Sequence, residues 1–363
     1  MSQQPKFSGV YPLFIALILT FLLITLVSAQ SNEETNPTFI FLPIVSNQGG
    51  DAPDVDNYDG DRDYVVVEGD ILLLPEMVEV IASSPNATYL PQLWPNGIVR
   101  FEFNANVTTI SRTLMLAAMA EWERVATVDF RQCSSNLCSG NHVHIISADV
   151  NNSFVGMVGT GEQVINIVNW NWRFIMAHEL GHALGFWHEQ SRVDRNTYLD
   201  IRLENIRDTE EHNFDPVSSP SKHYGPYDFD STMHYDQCAF SIHRSTCPND
   251  PTANNGGRSI VVREPYSNTW QNAIGQLSHL SRMDGMTMSF LYPATGWRFV
   301  DKTYTGSQTT GTFLKPYKTF ATGVTNTPVN GTLWLQPGAY SAVGSYNQPM
   351  TLTAPLGNVT LGP

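Results

Sequence analysis

The sequence predicts an α/β (α+β) domain with a twisted sheet and a β-rich C-terminal extension. Three observations predict it: a capped amphipathic helix at 107–126, two strand-like runs after it, and a second helical run crowded with histidine. At 363 residues the chain exceeds one ordinary domain, so we expect one sizeable core plus attached pieces. With 42% hydrophobic and 11% aromatic residues it can fill that core.

Residues 13–29, LFIALILTFLLITLVSA, form an apolar run behind Lys6 and close on Val27 and Ala29, the small residues of a signal-peptidase site. A membrane anchor would want about 20 apolar residues, and this run has 17. We therefore expect an export signal over 1–29, cut near Ala29, and no stable membrane anchor afterwards.

The formal net charge is −14, and residues 30–70 hold ten Asp or Glu against the single Arg62. Nucleic acid is excluded as a partner on that balance. The stretch DVDNYDGDRD invites a calcium reading. In the register that puts Gly60 at the obligatory glycine, Val55 and Val66 fall on the first and last ligand positions, so the segment reads as a solvated acidic linker.

Over 107–126, VTTISRTLMLAAMAEWERVA opens with threonines able to cap and spaces Ile110, Leu114, Ala117, Ala118 and Val125 along one helical face. HVHIISADV and QVINIVNW then alternate as strands. His142 and His144 on the first of these read as surface histidines.

Export permits disulfides, and the four cysteines allow three pairings. The local pairs, Cys133 with Cys138 and Cys238 with Cys247, are favoured because each closes a short polar loop. Neither spacing suits a structural zinc site.

The stretch AHELGHALGFWHEQSR, 177–192, places His178 and His182 four apart on one helical face with Glu179 beside them. Gly185 can end that helix in a left-handed conformation, after which His188 can return as a third ligand. Three protein ligands leave a place for water, the arrangement of a catalytic zinc site. An accidental His-Glu-x-x-His in this chain has odds on the order of one in a hundred, so chance is a poor explanation. A plain amphipathic helix explains Ile175, Leu180 and Leu184 but not the shared face of His178, Glu179 and His182.

The pattern His-Glu-x-x-His-x-x-Gly-x-x-His resembles the metzincins, zinc endopeptidases with a methionine turn beneath the metal. DFDSTMHYD supplies such a turn, with Met233 about 45 residues after His188. Glu189 after the third histidine, RVDRNTYLDI at 192–201, and Ser231 to Tyr235 resemble the astacin family within that clan, over about Trp94 to Tyr292. The resemblance implies a metzincin zinc-peptidase fold with an active-site helix, a protein or peptide substrate, and Zn2+ held by His178, His182 and His188. It implies Glu179 as general base, Tyr235 as a displaceable ligand and oxyanion partner, and Met233 packed under the metal. Glu189 would be buried and pair with the mature amino terminus. GEQVINIVNW would be the edge strand that aligns substrates.

VVVEGDILL, residues 65–73, resembles the family's prosegment motif, which makes Asp70 the latency ligand of the zymogen and Gly69 the point of close backbone approach. Val67 stands where the family usually has an aromatic residue. On this reading residues 30–90 are the prosegment and 91–293 the catalytic domain, and an activating protease cuts somewhere from Ser84 to Gln92. The family's usual two disulfides have no counterpart, with Thr127 or Val128 and Trp170 at the expected positions. A Cys238–Cys247 bridge would stiffen the wall beside the primed-side pocket.

Residues 294–363 lie outside the resemblance. Their short strands and Pro-Gly and Gly-Asn turns look like the opening coil or two of a parallel β-helix, which needs about three coils to bury a stable core. The sequence thus favours a secreted, latent zinc metalloendopeptidase. The alternative is a zinc-containing binding or adhesion protein with secondary catalysis and the extension as its working part. Five Asn-x-Ser/Thr sites, at Asn86, Asn106, Asn151, Asn330 and Asn358, are open to a glycosylating host.

Overall fold

The computed structural model describes residues 64–75, 77, 92–134, 138–216 and 225–362. The export signal, the acidic linker and most of the expected activation segment lie outside the described residues. No helix among the described residues is long and apolar enough to cross a membrane.

A hairpin opens the described chain: β1 (Val65–Val67) and β2 (Ile71–Leu73) pair antiparallel around Glu68 to Asp70. β3 (Ile98–Phe103) leads to α1 (Thr109–Val125), whose N-cap Thr108 accepts the Ser111 N–H through its hydroxyl. β4 (Asp129–Gln132), β5 (His142–Ser147), β6 (Asn152–Phe154) and β7 (Glu162–Ile167) follow. They build a seven-stranded sheet in the order β1-β2-β6-β7-β5-β3-β4, with β6 antiparallel to β7. α2 (Arg173–Ala183) comes next and carries the histidine motif.

α1 and α2 cover one face of this sheet. Their Met115, Met119, Trp122, Met176 and Leu180 pack with inward residues of β3, β5 and β7, among them Phe101, Ile145 and Ile165. Burial bears out part of the expected face of α1, with Ala118 buried and Leu114 and Val125 packed partly buried against the core, and corrects the rest. Ile110 is 75% exposed, and the buried row is Ser111, Met115, Ala118, Met119 and Trp122. The row is turned toward the large Trp122 ring, whose Nε1 donates to the Ala177 carbonyl of α2 and fixes the helix pair.

Two further expectations are corrected here. β7 is an internal strand, flanked by β5 and β6, so GEQVINIVNW is not the edge. Setting the hairpin aside, the edge is β6, which β2 covers in parallel register, Ile71 opposite Ser153 and Leu72 opposite Phe154. His142 is no surface histidine either. It is 6% exposed, with Nδ1 2.7 Å from the Gly140 carbonyl and Nε2 beside Glu162.

After α2 the chain builds a second core around the antiparallel pair β8 (Leu199–Ile201) and β9 (Ile260–Val262), with Phe214, Tyr227 and Phe229. Both local disulfides form, Cys133 with Cys138 and Cys238 with Cys247. α3 (Arg282–Leu291) starts with a capping box between Ser281 and Asp284. Asp284 also accepts the Thr232 N–H at 2.9 Å and the Ser231 hydroxyl at 2.6 Å, so the helix start holds the turn that leads into Met233.

The extension contributes β10 (Trp297–Val300), α4 (Phe320–Asn326), β11 (Thr332–Leu335), β12 (Gly338–Ser341), β13 (Thr351–Thr353) and β14 (Val359–Gly362). β10-β11-β13 form one parallel ladder and β12-β14 another. It leans on the preceding domain through Phe290 of α3, whose ring meets Phe299, Phe313 and Trp334 with centroids 4.7–5.4 Å apart.

Candidate active site

α2 is held from three sides before any of its polar groups is considered. Trp122 binds its Ala177 carbonyl, Trp94 Nε1 donates to Ala183 O at 2.8 Å, and the Tyr292 hydroxyl donates to Leu184 O at 2.9 Å. Gly185 then takes a φ of +114°, a turn that suits a residue without Cβ, and the chain swings back through His188.

That path brings three imidazoles together. Nε2 of His178 lies 3.1 Å from Nε2 of His182 and 3.2 Å from Nε2 of His188. The other ring nitrogens all have acceptors: Nδ1 of His178 donates to Thr232 O at 2.7 Å and Nδ1 of His182 to Phe186 O at 2.8 Å. Nδ1 of His188 donates to the Glu68 carboxylate at 2.8 Å. When all three rings are neutral their protons sit on Nδ1 and three Nε2 lone pairs point at one another, an arrangement that is repulsive unless a cation, or a proton on His188, stands between them. Backbone or carboxylate acceptors on the far nitrogens are also what orient metal-binding histidines. The donor set fits zinc.

Asp70 reaches this point from the hairpin, its carboxylate 3.2–3.6 Å from the three Nε2 atoms. The four residues form a group able to hold a metal ion, and Asp70 Oδ1 is buried without a hydrogen bond. Burial opposes ionisation of Asp70, but the pull of His188 and the imidazole hydrogen bonds outweigh it and hold the carboxyl well below its usual range. The same contact raises His188 to about 9 against the effect of burial, while burial lowers His182 to about 4.

Gly69 has a φ of +78°, and a Cβ there would stand 2.6 Å from the Phe240 ring and 3.3 Å from the Tyr235 hydroxyl. The Tyr235 hydroxyl donates to the Glu68 carbonyl, and the Tyr235 ring lies 4.6 Å from that of His188. Glu179 is 1% exposed with Oε2 unpartnered; burial first, then the Asp70 charge, push its carboxyl well above the usual range. Met233 is buried against Gly181 of α2, and its carbonyl accepts the Glu189 N–H at 3.0 Å.

Glu189 is half-buried, its side chain 18% exposed, and its partners here are Arg192, at 3.0 Å, and the Asp228 N–H, at 2.8 Å. Burial raises it to about 8, against the opposing charge of Arg192. Glu68 is the residue that sequence reasoning passed over. Its only signal is its place two residues before Asp70.

The family model for the astacin peptidases matches residues 86–293. The chain belongs to the astacin family. It is 36% identical over 185 residues to astacin-like metalloprotease toxin 5 of Loxosceles gaucho, covering 49% of this chain and 91% of the toxin. It is 38% identical over 160 residues to zinc metalloproteinase nas-39 of Caenorhabditis elegans, covering 41% of this chain and 16% of the worm protein. Among solved structures it resembles the hatching enzyme HCE-1 of Oryzias latipes at 28% identity and a TM-score of 0.46, covering 56% of this chain and 94% of that one. The chain spans less than a third of the length of several curated relatives. Astacins are zinc metalloendopeptidases, and this member retains the three-histidine donor set.

Proposed function

We propose that this chain is a secreted zinc endopeptidase made in latent form, with Asp70 closing the site until the leading segment is cut away. The observation that carries the reading is the convergence of three imidazole Nε2 atoms on the Asp70 carboxylate, beside the buried Glu179.

His178, His182 and His188 would hold the zinc, which when bound polarises the scissile carbonyl and makes water a better acid at neutral pH. Glu179 then accepts the proton of the attacking water and hands it to the departing amine, a transfer for which a raised carboxyl is suited. Tyr235, freed from the Glu68 carbonyl when the hairpin leaves, donates its phenolic hydrogen bond to the developing oxyanion. Met233 keeps α2 seated from below. β6, once β2 is gone, offers open main-chain groups to an extended peptide. Export after cleavage near Ala29, activation by a second protease ahead of Trp94, and a catalytic domain over 91–293 complete the reading. In it the extension opens a parallel β-helix and braces α3.

The test uses the full chain and its activated product. Mass spectrometry of the mature amino terminus, with metal content on the same sample, reads export, activation and zinc together. The activated protein should hydrolyse a denatured protein or a quenched peptide, and chelator or Glu179→Ala should abolish this. Zinc-loaded, trimmed protein that never cuts would overturn the assignment.

A further inference from the structure

The sheet has a second group of metal-ligating side chains on the face away from α1 and α2. Strand alternation puts Phe101, Phe103, Val143 and Ile145 into the core, so Glu102 of β3 and His142 and His144 of β5 point the other way. β7 starts beside them with Glu162 opposite His142. Glu102, His144 and Glu162 each offer one ligand atom, and these atoms lie within 4.8 Å of one another.

His142 is bonded on both ring nitrogens, Nδ1 2.7 Å from Gly140 O and Nε2 3.2 Å from Glu162 Oε2, with Glu102 Oε1 4.0 Å away. Nδ1 of His144 is buried, lies 3.3 Å from Glu162 Oε1 and still makes no hydrogen bond. Among the described residues neither glutamate pairs with a lysine or arginine; the Cys138 N–H gives Glu102 Oε2 its hydrogen bond at 2.8 Å. A buried imidazole nitrogen of His144 without a hydrogen bond, facing carboxylate oxygens that no lysine or arginine neutralises, is the donor arrangement of a cation-binding site.

We propose that Glu102, His144 and Glu162 form a second divalent-cation site, with the His142 imidazole beside it. One imidazole and two carboxylates select a borderline ion such as zinc over calcium or magnesium, which favour all-oxygen sets. The ion would tie β3, β5 and β7 together behind the strand that runs into α2, and would join them to the loop closed by Cys133 and Cys138.

Zinc itself is the probe. The full chain equilibrated with zinc and freed of excess should carry about two equivalents, and His144→Ala or Glu162→Gln about one. The double variant His178→Ala, His182→Ala should keep one, and zinc should raise its melting temperature unless His144→Ala is added. Glu162 is half-buried and its amide replacement is conservative, so that variant reports on ligation and not on folding. A wild-type chain that takes up one equivalent, or a second equivalent that survives in both His144→Ala and Glu162→Gln, overturns the proposal.

Discussion

Nδ1 of His188 and the carboxylate of Glu68 lie 2.8 Å apart, a contact between the third histidine of the site and the hairpin that covers it. Glu68 is 5% exposed, and its backbone carbonyl takes the Tyr235 hydroxyl at the same time. One hairpin residue therefore orients a ring of the donor set and occupies the phenol proposed to serve the oxyanion.

Glu68→Ala should weaken zinc retention by the uncut chain about 10-fold or more, the usual cost of removing an acceptor behind a ligand histidine. Competition with a chromophoric chelator reads this directly. Once the hairpin has been removed, the variant and the wild type should bind zinc equally; a difference that persists would place the effect elsewhere.

Asp70→Ala should leave the fold intact while opening the site. Small zinc-binding hydroxamates should bind the uncut variant at least about 10-fold more tightly than the uncut wild type, since no carboxylate competes for the metal. Equal affinity would show that Asp70 does not guard the site.

Gly181→Ala tests the seat of the methionine turn. The new Cβ would stand 2.7 Å from Met233 Sδ and 3.2 Å from the Trp122 ring, which cannot yield because its Nε1 is bound to Ala177 O. Alanine is the better helix former by about 1 kcal/mol, yet overpacking costs about 1–3 kcal/mol. The melting temperature should therefore fall; a rise would mean that Met233 moves aside freely.

Asp228 predicts a pH dependence. Burial and then the neighbouring Asp284 charge raise its carboxyl to about 6, so the folded chain keeps a proton that the unfolded chain has lost above about pH 4. Its contribution is most favourable below that point and is lost as pH rises through 6. With a discount for its partial exposure, Asp228→Asn should remove about 1–2 kcal/mol of this decline. Urea midpoints at pH 4.5 and 7.5 should converge in the variant; an unchanged difference would count against it.

The meeting of the three imidazoles was legible in the sequence because its geometry is local. His178 and His182 share a helical face by spacing alone, and Gly185 announces the turn that returns His188. Both disulfides were legible for the same reason. Glu68 was not, because its partner lies 120 positions away and the pairing exists only once the hairpin folds over the site. The core face of α1 was legible only in part, Ala118 but not Met115, Met119 and Trp122, because alanines suit either side of a helix and only contact with α2 decides for the larger residues. The edge strand was misplaced because β6 has only three residues, too few for alternation to register.

The parallel ladder between β2 and β6 bears on how the enzyme would switch on. Ile71, Leu72 and Leu73 are buried, and the Ser153 N–H donates to Asp70 O, so severing one downstream peptide bond leaves every one of these contacts in place. The severed piece becomes an untethered ligand of its own parent, and its departure obeys mass action. Onset of proteolysis should then quicken on dilution and stall when a peptide spanning residues 64–75 is added back.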